Sequence, residues 1–390
     1  MVEYNPYAYE LHEDPYPIYE RMRRESPVLW NEELGFWALA RHRDVLAGFK
    51  DTEGLSSSYG VSLEPSASHP EAHQMMSFLA MDPPRHDHMR ALVSRGFSPR
   101  RIADLEVSIR EQTVAYIEGF IASGRCDFIA DLAGRIPMDV ISEMLGVAEA
   151  DRDSLRSWAD TVVHREEGMF DVPSAGTEAA AKLVEYFNDL IADRHCNPGE
   201  DLISSLLAAE LDGQRLSDDE VLSFTFLMII AGNETTTKLL GNAAYWIWRN
   251  PHEREKVIRN PDLVPNWVEE TLRYDPSTQA LARIATTDLE IGDVRVKEGD
   301  RVYLLIGSGN RDEEIFQRAG DYEIERDTSR SLHFGQGTHF CLGAALARLE
   351  GKVVLEEVVR RMPNFEIDAD AAERVHSINV RGFAKLPMTL

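Results

Sequence analysis

The sequence predicts one large, mainly α-helical domain with a small β portion. Apolar residues recur with helical periodicity from about Ser98 to Arg249. β-type patterns are confined to short stretches near the two ends. No internal repeat, low-complexity tract or Pro/Gly/Ser linker divides the 390 residues, although that length alone would favour two domains.

Each element follows from local signals. Up to about Leu55, short apolar runs alternate with turns, and Gly35 to Ala40 reads as a strand beside Val28 to Trp30. Ser56 to Ser68 is rich in Ser, Pro and Gly and reads as a loop. Gly124, Gly146, Pro173 and Asn197-Pro198-Gly199 mark helix stops. Ser217 followed by Glu220 forms a capping box, so a helix starts there. It runs to Trp248, and Asn250-Pro251 ends it. That gives roughly 32 residues, or about 48 Å at the helical rise, enough to cross the whole core. Asp288 to Leu305 alternates around Gly292 and Gly299, and Ile378 to Leu390 reads as extended.

Composition narrows the function. The 41 basic and 67 acidic residues leave a net charge of −26, which argues against nucleic-acid binding and against docking on anionic membranes. Three cysteines without paired spacing point to a reducing, cytoplasmic compartment. Met1 to Pro6 shows no signal-peptide pattern. The longest apolar stretch, around Phe224 to Gly232, is too short to span a bilayer.

The most specific signal is Phe334-Gly335-Gln336-Gly337-Thr338-His339-Phe340-Cys341-Leu342-Gly343, leading into the helical stretch Ala344 to Arg348. A thiolate persists beside a metal, a cation or a helix N-terminus, and helix N-termini favour negative charge. Gly335 and Gly337 lack a Cβ, so the backbone is able to approach a large flat ligand. A cysteine held this way points to haem iron. A lone Cys is more often a small buried hydrophobe, the reading given to Cys126 and Cys196. The long helix carries a second anomaly. Ala231-Gly232-Asn233-Glu234-Thr235-Thr236-Thr237 places Gly, a carboxylate and three β-branched alcohols mid-helix, where Gly costs about 1 kcal/mol relative to Ala. Such local conflict marks functional sites.

The Cys341 decapeptide matches the signature Phe-Gly-x-Gly-x-His-x-Cys-x-Gly at every fixed position, and the chain resembles the cytochrome P450 family, of the soluble bacterial type. The resemblance covers nearly the whole chain. It implies a P450-like domain over residues 1–390 that encloses haem b, with Cys341 as the iron ligand and Phe334 beside it. It further implies that His86 and Arg90 of Asp82-Pro83-Pro84-Arg85-His86-Asp87-His88-Met89-Arg90, together with Arg283 and His339, hold the haem propionates. Gly232 would clear room for dioxygen, Thr235 would offer it a hydroxyl, and Glu234 would relay protons. Glu270 and Arg273 match Glu-x-x-Arg, a buried structural pair in the family. Their third partner usually comes from the loop after Asn310-Arg311-Asp312, but Asp321 stands where an Arg is common.

The reaction implied is hydroxylation or epoxidation of a hydrophobic small molecule: a terpenoid, steroid, macrolide or fatty-acid-like compound. Its pocket would draw on Ser56 to Met76, His164 to Gly176, Phe224 to Ala231, Pro276 to Ala282 and Ile378 to Val380. No flavin or iron–sulfur motif occurs, so electrons must come from another protein, by resemblance a ferredoxin with its NAD(P)H-dependent reductase. An acidic ferredoxin needs a local basic patch, for which Arg95, Arg100, Arg101, Arg348 and Lys352 are candidates. A peroxide-driven enzyme and a haem sensor are competing readings, and the Glu234-Thr235 pair argues against both. A cysteine hydrolase using Cys341 and His339 is disfavoured because two residues apart they do not face each other.

Overall fold

The structure is a computed structural model and describes residues 2–165 and 169–390. Glu166, Glu167 and Gly168, inside the expected pocket segment His164 to Gly176, lie outside the described residues. The helices form one body around Asp218–Arg249, which is 32 residues long. Its start is the capping box read from sequence: Glu220 N–H donates to Ser217 Oγ, and Ser217 N–H donates to the Glu220 carboxylate. The helices Ile136–Leu145, Arg152–Val163, Ser174–Cys196, Val264–Tyr274 and Ala344–Arg361 pack around this axis. Trp267, Phe224, Phe187 and Phe128 are fully buried between them. No described helix is long and apolar enough to cross a membrane.

The expected strand pair near the N-terminus is present. Strands β1 (Val28–Asn31) and β2 (Phe36–Leu39) are antiparallel, with Val28 opposite Leu39. They join β3 (Leu55–Ser56), β4 (Ala280–Ala285) and β5 (Arg301–Leu305) in the order β1-β2-β5-β4-β3. β5 runs parallel to β2 and antiparallel to β4. Phe36, Tyr303 and Met22 fill the core on this sheet. Gly292, at φ +60°, turns the hairpin Leu289–Ile291/Val294–Val296. The helical region is less continuous than its periodicity predicts. Arg125–Asp127 leaves it to pair with Pro387–Thr389, and Glu210–Leu211 pairs with Gln214–Arg215.

Glu270 and Arg273 lie three apart on Val264–Tyr274, both fully buried, joined by two 2.7 Å bonds. The remaining donors of Arg273 reach the carbonyls of Asn310, Ala319 and Asp321. The third member of the network is Arg326, whose Nε lies 3.4 Å from Glu270 Oε1. Asp321 contributes its backbone carbonyl, so the expected position of the third partner moves five residues along the chain. Removing one partner of such a buried pair strands the other charge, at a cost of about 3–5 kcal/mol. Arg273→Met is therefore expected to abolish soluble, cooperatively folded protein, whereas Arg318→Met, an exposed surface pair, is expected to leave the urea midpoint within error.

Candidate functional site

The cysteine loop is built by backbone conformation. Gly335 and Gly337 adopt φ +68° and +73°, the left-handed region that glycine enters without a Cβ penalty. A Cβ on Gly337 would also stand 3.0 Å from the Phe49 carbonyl oxygen. These glycines are thus required by the turn, a reason distinct from the close ligand approach read from sequence. The Cys341 N–H closes the loop on the Phe334 carbonyl at 2.8 Å. Ala344–Arg361 begins three residues later, and the Arg348 guanidinium lies over the Phe334 ring at 4.6 Å.

Cys341 is exposed, with Arg90 and Arg348 near its sulfur. Burial pushes its thiol up; the Gly343 N–H, Arg90, Arg348 and the Ala344 N–H pull in the opposite direction and do not outweigh it. Helix N-terminus and cations favour a thiolate here without outweighing burial, and a bound metal cation would add the missing stabilisation.

Beside the cysteine loop, four nitrogen-bearing side chains converge from three parts of the chain. His86 and Arg90 come from the helix Arg85–Val93, Arg283 from β4, and His339 from the loop itself. The His86 and His339 rings are 4.3 Å apart. Arg90 Nη2 donates to the Phe340 carbonyl at 2.6 Å, and Arg283 Nη1 to the Ala282 carbonyl at 2.7 Å. Burial pushes Arg283 down to about 10, opposed by Asp82. His339 is pushed down to about 3 by burial, then by Arg283, His86 and Arg90. His86 Nε2, Arg90 Nη1 and His339 Nδ1 are buried with no hydrogen-bond partner among the described residues. Orphan donors in such numbers are costly unless an acceptor meets them. Together with the thiol they fit an iron porphyrin whose two carboxylates they would bind.

The long helix presents one open strip. Ala231 is exposed, Gly232 and Thr235 are half-buried, and Asn233, Glu234 and the residues from Thr236 to Ala244 are buried. Thr235 Oγ1 donates back to the Ala231 carbonyl at 2.7 Å. At Gly232 the helix Ile136–Leu145 comes close: a Cβ there would stand 3.0 Å from Ile141 Cδ1. Glu234 is buried and ion-paired at 2.9 Å with Lys238, one turn along. The i, i+4 spacing of Glu234 and Lys238 was the signal that sequence reading passed over.

The basic patch is only partly intact. Arg348 is bonded twice to Glu269, and Lys352 lies 3.2 Å from Glu106. Among the described residues Arg95, Arg100 and Arg101 have no carboxylate partner, and Arg100 and Arg101 are exposed.

The sequence profile of the family described as "Cytochrome P450" matches residues 166–388. Cytochrome P450 123 of Mycobacterium tuberculosis is 51% identical over 387 residues, covering 99% of this chain and 96% of that protein. The vitamin D(3) 25-hydroxylase of Pseudonocardia autotrophica is 36% identical, covering 97% and 94%. The crystal structure of CYP109E1 from Bacillus megaterium in complex with testosterone superposes with a TM-score of 0.86 at 32% identity, covering 96% and 99%. The chain belongs to the cytochrome P450 family, whose members are haem-thiolate monooxygenases.

Gly337→Ala is expected to cost about 1–3 kcal/mol of backbone strain, read as a lower urea midpoint and a lower haem content per chain. Gly343 has φ −82° and open space where a Cβ would stand, so Gly343→Ala is expected to match wild type in both measurements.

Proposed function

We propose that this cytochrome P450 is one catalytic domain over residues 1–390 that hydroxylates or epoxidises a hydrophobic small molecule with electrons from a separate redox protein. The observation that carries the reading is the convergence of Cys341 with four cationic or hydrogen-bonding side chains, three of which hold orphan donors. Bound there, haem would supply the activation of dioxygen. Cys341 would hold the iron, with Phe334 packed beside it. His86, Arg90, Arg283 and His339 would bind the propionates, each orphan N–H gaining a charge-assisted acceptor.

The other roles belong to the long helix. Thr235 holds its hydroxyl proton on the Ala231 carbonyl. Rotation about its Cα–Cβ bond frees that hydroxyl to face the open strip. Glu234, adjacent in sequence and buried, takes up and releases a proton as a general acid–base group without admitting bulk water. Gly232 lets Ile141 close against the helix, which holds this strip in place.

For the substrate, the named relatives favour a steroid-like frame among the terpenoid, steroid, macrolide and fatty-acid classes: one is a vitamin D(3) hydroxylase and another binds testosterone. For electrons, a ferredoxin with its NAD(P)H-dependent reductase is the proposed source. Arg95, Arg100 and Arg101 carry the uncompensated positive charge that would meet it.

Thr235→Ala is expected to keep haem content and the carbon monoxide spectrum while diverting reducing equivalents to peroxide, measured as peroxide formed per NAD(P)H consumed. Unchanged coupling would remove Thr235 from the mechanism. A panel of steroids and fatty acids titrated into the ferric protein tests the substrate class. Steroids are expected to displace the Soret band at lower concentration than fatty acids, and the reverse order would reassign it.

A further inference from the structure

Two of the segments expected to wall the substrate pocket, Pro276 to Ala282 and Ile378 to Val380, lie side by side. The Gln279 N–H donates to the Asn379 carbonyl at 2.7 Å, and the Arg381 N–H to the Ser277 carbonyl at 2.8 Å. Thr278 and Val380 stand opposite each other between these bonds, as an antiparallel bridge. Both are half-buried, whereas Ser277, Gln279 and Arg381 beside them are buried. Side chains alternate between faces along an extended chain, so a slip of one residue would exchange Val380 for a polar neighbour. A pairing this short needs a further contact to hold its register.

That contact sits one residue outside each wall. Asp275 precedes Pro276, and Arg381 follows Val380. Arg381 Nε donates to Asp275 Oδ1 at 2.7 Å, and both side chains are buried. The Tyr16 hydroxyl donates to the same oxygen at 2.6 Å, and Trp246 Nε1 to the other at 2.8 Å. Burial pushes the Asp275 carboxyl up, but Arg381 and then Arg374 outweigh it and bring it down to about 2, so the group is ionised at neutral pH. The other donors of Arg381 reach the His12 and Glu13 carbonyls. Asn242, on the long helix, bridges the two backbones. Its Nδ2 donates to the Asp275 carbonyl at 2.9 Å and to the Arg381 carbonyl at 3.2 Å. A slip of either wall would strand a buried charge, which is costly.

We propose that Asp275 and Arg381 are positioning residues that, with Asn242, fix the register of these two walls and so set which part of a bound substrate faces the iron. Their side chains are engaged with each other and with the surrounding backbone, and they act through the bridged pair Thr278 and Val380. This inference rests on the reading of the two segments as pocket walls, and it adds what holds them.

Treatment of the haem-loaded protein with phenyldiazene tests it. The ratio of N-phenylporphyrin regioisomers recovered reports which quadrants above the haem are open, with no need to know the substrate. Val380→Phe checks the wall reading and is expected to shift the ratio by filling one quadrant. Arg381→Met and Asn242→Ala are expected to shift it as well, with an unchanged carbon monoxide spectrum. Arg381→Lys, which keeps a cation beside Asp275, is expected to bring the ratio back toward wild type. If Arg381→Met does not load haem, Asn242→Ala, which removes a neutral side chain, carries the test alone. Three results bear against the account. A wild-type ratio in Arg381→Met, or in Asn242→Ala where that variant carries the test, beside a shifted Val380→Phe, would overturn this proposal and leave the walls standing. So would an Arg381→Lys ratio no nearer to wild type than that of Arg381→Met. A wild-type ratio in Val380→Phe would overturn the wall reading itself.

Discussion

A sulfur atom inside protein does not ionise unaided, and the surroundings of Cys341 show the size of the problem. Two backbone N–H groups at the start of a helix and two guanidiniums all favour the thiolate. Desolvation by the surrounding protein still outweighs them and pushes the thiol up. Iron, the cation this family binds, would reverse the balance if held by Cys341, as proposed. The left-handed glycines, the closing Phe334–Cys341 bond and the helix beginning at Ala344 all serve to hold that sulfur in one place.

The same constraint explains the charge around it. The chain carries 26 more acidic than basic groups, yet His86, Arg90, Arg283 and His339 gather beside the cysteine loop, with Asp87 bonded to His86 and Asp82 acting on Arg283. Burial depresses Arg283 and His339 there. A protein folds this way only if the energy returns when anionic acceptors enter. On the long helix, opposite charges meet. Glu234 and Lys238, both buried on the long helix, pair at 2.9 Å.

Much of this was legible in the sequence. The long helix announced both its ends, through Ser217 with Glu220 and through Asn250-Pro251, because caps are local chemistry. The β1–β2 pair was visible for the same reason. The Cys341 loop and the Glu270–Arg273 pair were visible as fixed spacings. What stayed hidden depends on contacts between distant segments. Arg326 reaches Glu270 across 56 residues, and nothing near Arg326 reveals it. Gly232 faces Ile141, a direction that only the packing of two helices decides. Arg125–Asp127 becomes a strand because Pro387–Thr389 lies alongside, overriding a helical neighbourhood. Lys238 was within reach of sequence reasoning through its spacing from Glu234, but its burial was not.

The central claim is that a single sulfur, from Cys341, is the protein's bond to the haem iron. X-ray absorption at the iron edge of the purified ferric protein reads that bond directly. The account predicts one sulfur scatterer in the first shell of the wild type and none in Cys341→Ser. A wild-type shell of nitrogen and oxygen alone, or a sulfur that persists in the variant, would contradict it.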